Sequence, residues 1–378
     1  MQKFSKSIRT VVIVLLLLAL AAGVVASGIK VRDLKLSNLY GQNFRKSSTY
    51  SWKETSDLTT LLVVLDDTAV ENRELKYLDV LVMLNYQPVN KKVTLFAFDP
   101  TINVTLDGVN YQFREVYNYY VVKKQLTGAS FDPWEESVYS IETELGIRFN
   151  RYLAVNKSDL DNVLSPLAPN EEELFQARDS SLTIEKRLKA QTDLIEKYGI
   201  ESKSLFTVVR GLVSLWSEGN IGNLVQTDFS VPELSNLYFA LRDLNPENYR
   251  KVAMKSTSEE VELRNGAKFL RYTYIDRQFA DLLNNKDRKI EQARIDIVNA
   301  SSRQGLASKT ARLLRNHGLD VVKLSNATDV YINHTVYVAA PEKYPLTLAL
   351  LKELFPDLKV IAQEFPFRPS GELVLVVI

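Results

Sequence analysis

TTLLVVLDDTAVENRELKYLDVLVMLNYQPVNKKVTLFAFDPTINV, from Thr59 to Val104, holds three short runs rich in Val and Leu. These runs, Leu58–Leu65, Val80–Leu84 and Val93–Phe98, predict strands covered on both faces, because no polar alternation marks a wet side. Pro88 and Asn90 lie between the last two runs, which predicts a hairpin with a short loop. Asp66 and Asp67 close the first strand and Asp79 opens the second. Neighbouring strands can bring Asp66 and Asp79 within ~5 Å, close enough to share a divalent cation. The competing reading is that both are solvated turn residues.

Moving outward, Asp132–Leu145 carries an N-cap Asp, a Pro at the first helical position and a closing Gly146, a complete helix signature. Tyr152–Val155 predicts another strand, followed by a helix from Ser158. Ser181–Tyr198 is an amphipathic helix closed by Gly199, and Val231–Leu244 and Pro246–Met254 are read as further helices. Residues 58–255 are therefore expected to form one α/β domain, a mixed sheet with helices on both faces. Residues 256–291, charged and weakly patterned, are expected to be a partly helical linker. Residues 292–378 repeat the strand and helix signals in the order β-α-β-β-α-β-β, a small second α/β domain.

The amino terminus has another character. Lys3, Lys6 and Arg9 precede Thr10–Gly28, nineteen residues without a charge, which at 1.5 Å per residue is ~30 Å of helix, enough to cross a bilayer core. The expected order is a cytoplasmic 1–9, a transmembrane anchor over 10–28 and a polar stalk over 29–57, with the bulk of the chain outside the cell membrane. Val24-Val25-Ala26 also permits cleavage as a signal peptide.

Composition narrows the chemistry. Lys+Arg 47 against Asp+Glu 46 leaves no polycation footprint, so nucleic acid is not an expected partner. The absence of cysteine removes disulfides, thiolate metal sites and cysteine nucleophiles. His317 and His334 are the only histidines, so everything before them works with carboxylates, arginines, hydroxyls and hard cations. Arg114, Arg178 and Arg187 are candidate phosphate clamps, since a planar guanidinium matches phosphate oxygens; the competing and commoner reading of each is a surface arginine. Asn299–Gly305 joins a strand to a helix and is read as an ordinary capped turn rather than an anion site. His317, just before Gly318, is read as satisfying the last carbonyls of a helix, and His334 as part of a polar turn. The aromatic group Tyr111, Phe113, Tyr117, Tyr119 and Tyr120 is either core or the lining of a lipid channel.

Element order supplies a resemblance. An amino-terminal anchor, LLVVLD (61–66), LDVLVMLNYQPVNKKVTLFAF (78–98) and TELGIRFNRYLAVNKSDLDNVL (143–164) together resemble the LytR–CpsA–Psr family. IDIVNASSRQGLASKTARLLRNHGLDVVKL (295–324) resembles the LytR carboxy-terminal domain. Members of that family are membrane-anchored transferases that move glycopolymers from a polyprenyl pyrophosphate carrier onto peptidoglycan. The resemblance implies that Asp66 and Asp79 hold Mg2+ and that arginines stabilise the pyrophosphate. The family's Arg-Ser-Asp-Thr motif falls on Tyr77-Leu78-Asp79-Val80, and its Pro-Arg-Asp on Asp99-Pro100-Thr101, both without arginine. An Asn-containing motif falls near Arg114-Glu115-Val116-Tyr117, and Arg-x-x-Arg-Gln is reduced to Arg187-Leu188-Lys189-Ala190-Gln191. Three functions follow: a Mg2+-dependent phosphotransferase, a non-catalytic envelope scaffold that binds polyprenyl lipid or wall polymer through a degenerate site, or a tail domain that docks a partner.

Overall fold

The computed structural model describes residues 57–67, 75–157, 225–229, 233, 236–237, 240, 244, 246–254, 256–283, 291–327, 331–355, 357–366 and 369–378. The expected anchor, all of the expected stalk but Asp57, the helices from Ser158 and over Ser181–Tyr198, and both Arg178 and Arg187 lie outside them. Among the described residues no helix is long and apolar enough to cross a membrane.

The opening stretch forms β1 (Leu58–Asp66), β2 (Tyr77–Gln87) and β3 (Lys92–Phe98), and every residue of β1 is buried. β1 and β2 pair antiparallel, as do β2 and β3. β4 (Asn103–Leu106) and β5 (Val109–Gln112) form a hairpin, and α1 (Val116–Thr127) and α2 (Pro133–Leu145) follow. β6 (Arg151–Asn156) runs parallel to β1. With β7 (Val225–Thr227) and β8 (Tyr249–Ala253), the central sheet has the order β7-β6-β1-β2-β3-β8. Leu61, Val63 and Leu65 of β1 pack with Phe96, Phe98, Trp134 and Ile141 on one face. Leu62, Val64, Val82 and Leu95 are buried as well, as strands without polar alternation require.

Signals in α2 act as read. The Asp132 carboxylate accepts from the N–H groups of Trp134 and Glu135, and Gly146 ends the helix at φ 68°, where a side chain on Cβ is disfavoured. Two expectations are corrected. The helix expected over Pro246–Met254 is a single 3-10 turn at Pro246–Asn248 followed by β8, paired parallel with β3. The exposed backbone edge of β3 takes this segment up, and sheet pairing overrides a weak local preference. The expected linker over 256–291 contains β9 (Val261–Arg264), β10 (Ala267–Leu270) and α3 (Tyr272–Leu283). Asn265 and Gly266 both have positive φ, the conformation of a tight hairpin turn. Val261, Leu270, Ile275, Phe279 and Leu282 belong to the core of the first domain, so this segment completes that domain rather than trailing from it.

The tail keeps the expected order: β11 (Arg294–Asn299), α4 (Leu306–Asn316), β12 (Asp320–Asn326), β13 (Thr335–Val338), α5 (Pro345–Leu354), β14 (Lys359–Ile361) and β15 (Leu373–Val377). Its sheet order is β12-β11-β15-β13-β14. Gly371 enters β15 so close to β11 that a Cβ there would lie 2.4 Å from the Arg294 carbonyl oxygen.

The two domains meet through α4. Arg312 donates to the Glu144 and Leu145 carbonyl oxygens at 2.6 and 3.1 Å, pairs with Asp276 at 2.7 Å and lies 3.9 Å over the Tyr272 ring. Asn316 donates to the Gly146 carbonyl at 2.8 Å and to Asp276 at 3.1 Å. The unpaired C-terminal carbonyls of α2 are thus satisfied by a cation and an amide from the other domain, where the helix dipole favours positive charge.

Candidate functional site

The candidate site lies where β1 and β6 end and β2 begins. Asp66 is the last residue of β1, and Tyr77 of β2 stands opposite it. Asp79 lies inside β2 rather than at its start. Val64 pairs with Val80 but Leu65 pairs with Leu78, which leaves Asp79 as an extra residue in a β-bulge. Leu78 and Leu81, three residues apart, therefore share the core face, as they could not in a regular strand of period two. Such a bulge re-aims the side chain it carries, a common device beside functional sites.

The residue that joins the two aspartates is one the sequence reading did not single out. Lys157 directly follows β6, whose Asn156 is the register partner of Leu65. Its Nζ lies 3.1 Å from Asp66 Oδ2 and 4.0 Å from Asp79 Oδ2, and the three side chains are only 11, 9 and 13% exposed, respectively. Asp66 and Asp79 are thus brought together, as the spacing suggested, and neither is a solvated turn residue. The Lys157 ammonium stands between them. Mg2+ demands carboxylate oxygens at ~2.0–2.1 Å in a near-octahedral shell. As arranged, a positive group takes that space, and the described residues hold no cluster of three or more acidic or histidine ligands. This donor set does not fit the ion the resemblance implies.

Two more cations flank the triad. Lys76 Nζ donates to Asn156 Oδ1 at 2.9 Å, while its backbone N–H donates to Asn118 Oδ1 of α1. Arg114, on the short turn before α1, lies 4.7 Å over the ring of Tyr77, the strand partner of Asp66. Of the three expected arginines, Arg114 alone is described, and it stacks within reach of the site's edge. No sequence motif announced Lys76 or Lys157. Lys157 acts through a parallel pairing between segments 91 residues apart.

Other candidates take structural roles. Burial alone would raise the Asp99 carboxyl, but hydrogen bonds from Ser256 and Thr101 hold it below the ordinary carboxylate value; it closes a turn after β3. Phe113 and Tyr120 are buried, and Tyr111, Tyr117 and Tyr119 pack against the same core. Asn299 accepts from Ser301 and donates to the Arg303 carbonyl, an internally satisfied turn beside a depression of about 430 Å³. His317 caps α4 with Nδ1 2.9 Å from the Leu313 carbonyl oxygen, as expected. His334 departs from the reading of a polar turn. Burial lowers its pKa, its ring lies 5.1 Å from that of Phe355, and its Nδ1 accepts from the Ile378 N–H.

Residues 292–378 match the family described as LytR cell envelope-related transcriptional attenuator. The tail is a LytR carboxy-terminal domain. Among curated proteins none matches the chain. Similar solved structures include protein gbs0355 from Streptococcus agalactiae, at 15% identity over 60% of this chain and 86% of that one, with a TM-score of 0.41. TagV from B. subtilis aligns at 14% identity over 59% of this chain and 94% of its own, with a TM-score of 0.40. TagT, solved bound to LI-WTA, aligns at 12% identity over 62% and 92%, with a TM-score of 0.39. These superpositions are loose, and no residue role is carried over from them to the site.

Proposed function

We propose that this chain is a membrane-anchored envelope protein of the LytR–CpsA–Psr type, held outside the cell membrane by residues 10–28. On this reading it takes a glycopolymer linked to a polyprenyl pyrophosphate and transfers it to a peptidoglycan hydroxyl. The single observation that carries the reading is the gathering of Asp66, Asp79 and Lys157, flanked by Lys76 and Arg114, in a chain that ends in a LytR domain. Phosphoryl transfer is mainly positioning and charge stabilisation, and this is an arrangement of positioned charges.

In the reaction, the acceptor hydroxyl oxygen attacks the glycan-side phosphorus. The bond from that phosphorus to the bridging oxygen breaks, and polyprenyl phosphate leaves with the electron pair. The hydroxyl proton passes to a carboxylate. Asp79, with the longer of the two ion pairs, is the better placed base. Lys157, Lys76 and Arg114 offset charge on the diphosphate, and Arg178 and Arg187 are proposed to join them. Release of polyprenyl phosphate from a polyprenyl diphosphate-linked glycan, measured in the presence of acceptor, tests this reading.

One observation favours the non-catalytic alternative: Lys157 spends its charge on two carboxylates. A protein that retains polyprenyl-linked polymer without releasing polyprenyl phosphate would be a scaffold.

A further inference from the structure

We propose that Lys157 is a built-in replacement for a divalent cation, so that Asp66 and Asp79 bind no Mg2+ in the native protein. Removing the lysine's charge would open a two-carboxylate metal site. The inference stands on geometry and holds whether or not the transferase reading does.

Three features support it. The ammonium is within ion-pair reach of both carboxylates, at 3.1 and 4.0 Å, as a shared metal would be. The triad is largely shut off from water, so a divalent ion would meet an unscreened like charge a few ångströms away. The lysine is also fixed from two sides. Its backbone follows directly on the β6 residues hydrogen-bonded to β1, and its side chain lies between the end of β1 and the β2 bulge. Admitting the metal would require Lys157 to leave a nearly buried position and both carboxylates to change partner together.

Displacement by metal is costly because Mg2+ dehydrates reluctantly and needs its shell completed by waters or ligand oxygens. An ammonium needs neither. Its field is weaker than a dication's, yet it hydrogen-bonds Asp66 and pairs by charge with Asp79 without a coordination shell. The substitution trades a removable dication for a permanent monocation. Chelators should consequently have no effect on the site.

Mn2+ serves as the probe, because its free form is directly visible by electron paramagnetic resonance. The wild type is expected to bind it no more tightly than Asp79→Asn does. Lys157→Met is expected to bind it at least ~10-fold more tightly than wild type, as freed carboxylate ligands should, and the gain should vanish in Lys157→Met/Asp79→Asn. A wild-type Mn2+ site that disappears in Asp79→Asn overturns the proposal, as does a folded Lys157→Met with no gain. Circular dichroism reports folding. If Lys157→Met does not fold, the wild-type comparison decides alone: equal binding in wild type and Asp79→Asn upholds the proposal, and weaker binding in Asp79→Asn overturns it. None of these readouts depends on turnover, so failure here is distinguishable from failure of the proposed transfer.

Discussion

Arg312→Ala should uncouple the two domains. The Arg312 side chain is 14% exposed and its partner Asp276 31%, so the joint is shielded but not sealed. Two charge-assisted hydrogen bonds to the carbonyls of Glu144 and Leu145 contribute about 1.5 kcal/mol each at the low end of their range. Contact with the Tyr272 ring adds roughly 0.5–1 kcal/mol, and the Asp276 pair, discounted for solvent screening, at most about 1 kcal/mol. These terms are not additive, because the same guanidinium makes them all. A loss of about 3 kcal/mol is therefore expected, equivalent to a fall of roughly 6–12 °C in Tm for a unit of 150–250 residues. Arg312→Lys keeps the charge but loses the planar fork and the ring contact, so it should fall between. Differential scanning calorimetry on the folded chain is the assay, with the expectation that the tail transition moves away from that of the first domain. A change under about 0.5 kcal/mol, the range of ordinary surface substitutions, would refute the claim that this residue holds the joint.

Gly146→Ala should cost about 1–3 kcal/mol in chemical denaturation, because its φ is 68° and a Cβ would lie 2.8 Å from Asn316 Nδ2; an unchanged midpoint would contradict the packing described. Burial pushes the Glu144 carboxyl above its ordinary value, against the opposing pull of Tyr272 and Arg312. Because the folded state favours the protonated form, that contribution to stability is complete below the unfolded value near 4.5 and is lost as pH rises through the raised folded value. Glu144→Gln should accordingly gain in Tm relative to wild type between pH 4 and pH 7, and a gap that shrinks over that interval would reverse the sign.

What the sequence disclosed was mostly local. Val and Leu runs gave β1 to β3, Asp132, Pro133 and Gly146 bounded α2, and the whole order of the tail was legible because each element carried its own period and breaker. Elements that borrow their partners were harder. Tyr249–Ala253 is a strand because the edge of β3 is there to receive it, a fact no short window contains. The β9–β10 hairpin did announce itself, through Asn265-Gly266, as β4–β5 did through Asp107-Gly108, but charges in β9 and β10 masked the first signal. At the site the aspartates were visible as acids at strand ends, and the bulge at Asp79 and the reach of Lys157 were not. Register slips and parallel pairings between distant segments leave no periodic trace, so the cation between the two carboxylates emerged only from the fold.

Release of polyprenyl phosphate is the most direct test of the proposed activity, using the full chain, a polyprenyl diphosphate-linked glycan and a peptidoglycan acceptor. Turnover is expected in the wild type, falling by about 10²-fold or more in Asp79→Asn, in line with removal of a positioned acid–base group. A wild type without turnover, or an Asp79→Asn variant that turns over as fast as the wild type, would contradict it.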